Sequence, residues 1–118
     1  MLGLAQQKRG KGMQQRYSIE FGSYNQRRYS RPWIARVASW PVGGRPELQW
    51  GEYIGDDSGG EVEILAVPGD IIRSGQKDGR GNGTENSWYI AQTDGTLLAT
   101  TAAEARQAYL AAANAVAE

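Results

Sequence analysis

Between Tyr24 and Trp33 the chain reads Tyr-Asn-Gln-Arg-Arg-Tyr-Ser-Arg-Pro-Trp, a run in which cations alternate with flat rings. Nucleic-acid binding uses this pairing of residue types. Guanidinium groups hold phosphates in a salt-dependent way, and aromatic rings stack on unpaired bases for about 1 to 3 kcal/mol per base. On that reading Arg27, Arg28 and Arg31 face phosphates while Tyr24 and Tyr29 stack. The argument rests on residue type alone, because no helix-turn-helix, zinc-finger, RRM or KH signature accompanies the run. The plainer alternative makes Trp33 core and the arginines a solvated turn.

A second run, Gly75-Gln-Lys-Asp-Gly-Arg-Gly-Asn-Gly-Thr84, sets Lys77 and Arg80 among glycines that can expose backbone amides to an anion. It matches neither G-x-x-x-x-G-K-[ST] nor G-x-G-x-x-G, and a strand rather than a helix is expected after it. A glycine-rich connecting loop is the favoured reading, with Lys77 and Arg80 as additional anion contacts. A third group is acidic: Asp56 and Asp57 beside Gly59-Gly60, followed by Glu61 and Glu63. The spacing is not that of a calcium loop, and adjacent carboxylates on an extended chain point apart, so no metal is expected there. These acids instead offer a negative face to a basic protein partner.

Composition argues against catalysis. The chain has no histidine and no cysteine, which removes the Ser-His triad, the Cys-His pair, thiolate and imidazole metal centres, and disulfides. Asp70, Asp78, Glu85 and Lys77 remain as proton-transfer groups, and nothing in their spacing brings two together. No enzyme, cofactor or metal is expected.

The net charge of zero conceals a strong asymmetry. Eight cations oppose one acid up to Arg36, and five oppose twelve from Val37 onward, so the two parts carry +7 and −7. Such a split suits an anionic partner at the basic end or a basic partner at the acidic one. Neutralisation of one part by the other across paired strands is the alternative.

Length and pattern say what must hold these groups. A chain of 118 residues is expected to form one domain with one core. Residues 1–15 hold three cations, four glutamines and no apolar period, and read as a flexible basic arm ahead of a domain spanning 16–118. Met13 is an alternative start of translation, on which reading Lys8, Arg9 and Lys11 carry no function.

Alternation predicts a strand from Arg16, with Tyr17, Ile19 and Phe21 on one face, and another over Trp33–Trp40. Both strands are expected to be joined as a hairpin whose long loop displays Tyr24 to Arg31. Glu47–Ile54 reads as a strand whose phase Glu52 breaks, and Glu61–Val67 as another. Pro68-Gly69 predicts a type II turn that returns Asp70–Arg73 antiparallel to it. Ser87–Gln92 and Thr96–Ala99 flank Asp94-Gly95, a strong hairpin signal. A helix follows from Ala102 to about Val116, started by the capping pair Thr101 and Glu104 and striped with Ala105, Tyr109, Ala112 and Val116.

The expected fold is therefore α+β: an antiparallel sheet of about five to seven strands with one C-terminal helix packed on a face. No apolar run approaches a membrane span and the N-terminus has no apolar signal core, so a soluble cytoplasmic protein is expected. In size and composition the chain resembles the small, cysteine-free accessory proteins of phages and other mobile elements, a resemblance that transfers no site residue. Two functions follow as expectations: a non-catalytic nucleic-acid-binding module, or a protein-interaction module, such as an anti-CRISPR-like inhibitor or an accessory factor of a larger complex. A homodimer is compatible with either.

Overall fold

The computed structural model describes residues 14–76 and 87–117, with side chains to residue 113. Among these residues eight antiparallel strands form two sheets, and one helix follows them. In order these are β1 (Gln15–Phe21), β2 (Trp33–Ser39), β3 (Glu47–Trp50), β4 (Glu52–Asp56), β5 (Gly59–Ala66), β6 (Ile71–Gly75), β7 (Ser87–Ala91), β8 (Leu97–Thr100) and α1 (Ala102–Ala117). The three-stranded sheet has the order β1-β5-β4, and the five-stranded sheet β3-β2-β6-β7-β8. The architecture is α+β as expected, with the strands divided between two layers.

That division follows from where apolar side chains fall. β1 and β5 alternate cleanly, so each supplies one buried face: Tyr17, Ile19 and Phe21 from β1, Val62, Ile64 and Ala66 from β5. Across from them the five-stranded sheet contributes Ile34, Ile72 and Ala91. β2 and β6 carry apolar groups on both faces, so the five-stranded sheet needs a second cover. Val37 and Ile71 on its far face pack against Ala105 of α1, with Trp40, Leu48, Trp88, Ile90 and Tyr109 around them. The molecule thus has three layers: small sheet, large sheet and helix.

Three expected connections take a different course. β1 and β2 are not hairpin partners: β1 pairs with β5, while β2 pairs with β3 and β6. The segment between them crosses from one sheet to the other, which its length permits, since packed sheets stand about 10 Å apart. The Pro68-Gly69 turn does form, with Gly69 at φ 95° and Asp70 N–H donating to the Val67 carbonyl at 3.0 Å. It does not return the chain along β5, however. Asp70 and Ala91 are bonded through the Ala91 N–H at 2.9 Å, so β6 enters the other sheet beside β7.

The predicted Glu47–Ile54 strand is the third case. It divides at Gly51 into β3 and β4, one in each sheet. Gly51 N–H donates to the Ile34 carbonyl at 2.9 Å, and a β-carbon at this position would overlap the Glu63 carbonyl. A side chain there would also stand 2.7 Å from Ile34 Cγ2. The change of phase at Glu52 is this corner. Leu48 and Trp50 belong to one sheet, and Glu52 and Ile54 to the outer face of the other.

The Asp94-Gly95 hairpin and the helix start form as predicted. Gly95, at φ 86°, donates to the Gln92 carbonyl at 3.2 Å, and Thr101 Oγ1 accepts the Glu104 N–H at 3.1 Å. Ala105 is fully buried and Ala112 exposed, so the stripe that docks the helix runs through Ala105, Ala108 and Tyr109. Val116 lies beyond the described side chains. No helix among the described residues is long and apolar enough to cross a membrane.

Candidate nucleic-acid interface

The segment from Gly22 to Pro32 is fixed at three points. Asn25 starts a tight turn: its side-chain oxygen accepts the Arg27 N–H at 2.9 Å, and its carbonyl accepts the N–H groups of Arg28 and Tyr29 at 2.9 and 2.7 Å. Asparagine does this because its short side chain imitates a backbone turn. At one end Tyr24 N–H donates to the Asp57 carbonyl at 2.8 Å. At the other, Gln76 Nε2 donates to the Ser30 carbonyl at 2.8 Å.

On this frame Arg27, Arg28 and Arg31 are exposed, while Tyr24 and Tyr29 are half-buried. The Arg28 guanidinium lies 5.6 Å from the Tyr29 ring centre, and that of Arg31 4.8 Å from the Tyr53 ring. Among the described residues none of these three arginines is in an ion pair. The ion pair seen there joins Arg16 to Glu63 at 2.5 Å. Cross-strand neutralisation of the loop arginines by Glu47, Glu52 or Glu61 is therefore not how this surface is built. Tyr29 also helps wall a groove of about 590 Å³ between the ends of the two sheets, opposite Ile19, Phe21 and Tyr89.

Tyr53, which the sequence reading passed over, is the anchor of the arrangement. Its hydroxyl donates to the Asp56 carbonyl at 2.5 Å and lies 3.5 Å from the Tyr24 hydroxyl. Burial, together with the Tyr24 hydrogen bond, pushes the pKa of the Tyr53 hydroxyl up to about 12. The signal available in the sequence was its position directly after the Glu52 phase break.

The acidic candidates divide into two places. Asp56 and Asp57 form the tip of the β4–β5 hairpin, directly against the basic loop through the Tyr24–Asp57 bond. Asp56 is occupied by its own turn: it accepts the Ser58 hydroxyl and the Ser58 N–H, the latter at 2.8 Å, and these bonds hold its carboxyl below the usual range. Glu61 and Glu63 stand on the outer face of the three-stranded sheet. There the register sets Glu20 opposite Glu61 and Glu52 opposite Glu63. No group of three acidic ligands suited to a metal ion occurs among the described residues. Lys77 and Arg80 lie outside the described residues.

A further feature draws on strands distant in sequence. On the helix side of the large sheet, register places Trp50, Ala35, Arg73 and Trp88 in one row across β3, β2, β6 and β7. Trp33 meets Trp50 edge-on, with ring centres 5.2 Å apart, and Trp40 stacks on Trp88 at 5.3 Å. Arg73 lies over the Trp88 ring at 4.7 Å. Trp40 and Trp88 thus pack into the core between the large sheet and the helix, Trp33 is half-buried, and Trp50 is 62% exposed. No family model matches this chain, and neither a curated protein nor a solved structure matches it.

Proposed function

We propose that the protein is a non-catalytic nucleic-acid-binding module whose loop from Tyr24 to Arg31 meets the phosphate backbone. The observation that carries this reading is the state of Arg27 and Arg28: exposed, free of ion pairs among the described residues, and held on an ordered turn. Charge carried on an ordered turn and not ion-paired among the described residues is available to an anionic polymer. Arg31 adds a third cation beside them, supported by the Tyr53 ring. Fluorescence anisotropy with labelled single- and double-stranded oligonucleotides at two salt concentrations tests it. Binding that weakens steeply with salt is expected; no binding at low salt ends the reading.

One observation favours a second role on the opposite surface. Two cross-strand glutamate pairs, Glu20–Glu61 and Glu52–Glu63, place like charges face to face; Arg16 offsets the charge at Glu63, which leaves Glu20–Glu61 as the pair whose repulsion a basic partner would relieve. An inhibitor or accessory factor of a larger complex would use this face together with Asp56 and Asp57. Recovery from host lysate of a defined protein complex that survives nuclease treatment, and is lost when Glu61 and Glu63 become glutamine, supports this role. Its absence from such a pull-down removes it.

A further inference from the structure

The helix does not cover the whole outer face of the large sheet. The cluster beneath it takes in Trp40 and Trp88 but neither Trp33 nor Trp50. Beyond its edge stands the Trp33–Trp50 pair; Arg73, half-buried over the Trp88 ring, lies in the same row one strand inward from Ala35. An exposed tryptophan braced edge-on by a second ring is a rigid flat surface of the kind on which a nucleobase stacks, because every base has a π-face. Of the charged groups around it, Arg73 lies in the same row two strands away, while Arg16, Glu52 and Glu63 line the hollow beside Trp50. Arg31, exposed, precedes Trp33 by two residues, so the platform begins where the basic loop ends.

We infer that the Trp50–Trp33 pair is a stacking platform for an unpaired base of a single strand whose phosphates are held by Arg73 and the loop arginines. This deepens the nucleic-acid reading and rests on it: it names single-stranded nucleic acid as the ligand class. Duplex DNA, whose bases are stacked on one another, presents no free face to Trp50.

The test compares a thymine oligonucleotide, an abasic oligonucleotide of equal length and charge, and a duplex, each titrated by anisotropy against the intact protein and its Trp50→Ala and Trp50→Phe variants. The intact protein should bind the thymine strand on the order of 5- to 100-fold more tightly than the abasic strand. Trp50→Ala should abolish that difference, Trp50→Phe should keep part of it, and both should leave abasic and duplex binding and the salt dependence unchanged. The thymine strand should also quench tryptophan fluorescence in the intact protein, and quench it less in Trp50→Phe.

Equal binding of thymine and abasic strands by the intact protein overturns the platform while leaving the loop reading in place. Failure to bind any strand overturns both. A concentration-dependent dimer in sedimentation that Trp50→Ala dissolves would show a second copy, not a base, as the occupant.

Discussion

Arg27, Arg28 and Arg31 differ in what holds them, and the difference predicts how each acts. Arg27 and Arg28 stand on the Asn25 turn with no ion pair among the described residues, so their replacement by alanine should weaken binding uniformly across sequences and reduce the salt slope by about 0.7 each, the single-strand value per phosphate. Arg31 rests on Tyr53. Tyr53→Phe removes the hydroxyl that ties the Asp56 carbonyl and meets Tyr24, so hydrogen exchange at the Tyr24 amide should quicken while Arg27 and Arg28 keep their charge. Asp94 shows pH dependence of a definite sign. Hydrogen bonds from the Thr96 hydroxyl and N–H hold its carboxyl below the ordinary range. The stability it contributes is therefore present above the unfolded value, near 4, and is lost as pH falls through the folded one. Asp94→Asn should accordingly lower the melting temperature at neutral pH, and the difference should shrink as pH falls through the lowered folded value.

At the scale of elements, the corners between sheets decide the fold, and the chain marks them weakly. Gly51 turns β3 into β4 where a β-carbon would overlap the Glu63 carbonyl and crowd Ile34. Gly51→Ala should cost about 3 kcal/mol or more in denaturant unfolding, since backbone on both sides must move. Thr101→Ala, by contrast, removes the bond from the Glu104 N–H and the hydroxyl's donation to the Glu104 carboxylate, and should cost about 1 kcal/mol. Alternation made β1, β2 and β5 legible, and Asp94-Gly95 and Thr101-Glu104 gave a turn and a helix start from local chemistry. Strand partners were not legible, because period-2 alternation states which face is buried and not what covers it. The crossing from β1 to β2 and the turn at Pro68-Gly69 read as hairpins for that reason, and the Gly51 corner was visible only as the broken phase at Glu52.

Across the whole molecule the charge asymmetry becomes spatial. The glutamates of β1, β4 and β5 share the outer face of the small sheet, while the basic loop crosses between the sheets and leads into the tryptophan face of the large one. The loop was readable as a site because its residues are consecutive. The Trp50–Arg73–Trp88 row was not, because register alone joins residues drawn from β3, β6 and β7. The central claim is that Arg27, Arg28 and Arg31 hold phosphates. It is tested most directly by anisotropy of a labelled single-stranded oligonucleotide across a salt series, comparing the intact protein with Arg27→Ala/Arg28→Ala. Three phosphate contacts predict an affinity that falls about 20-fold between about 50 and 200 mM salt, with a log–log slope shallower by about 1.4 in the double variant. An intact protein whose slope equals that of the double variant would contradict the account.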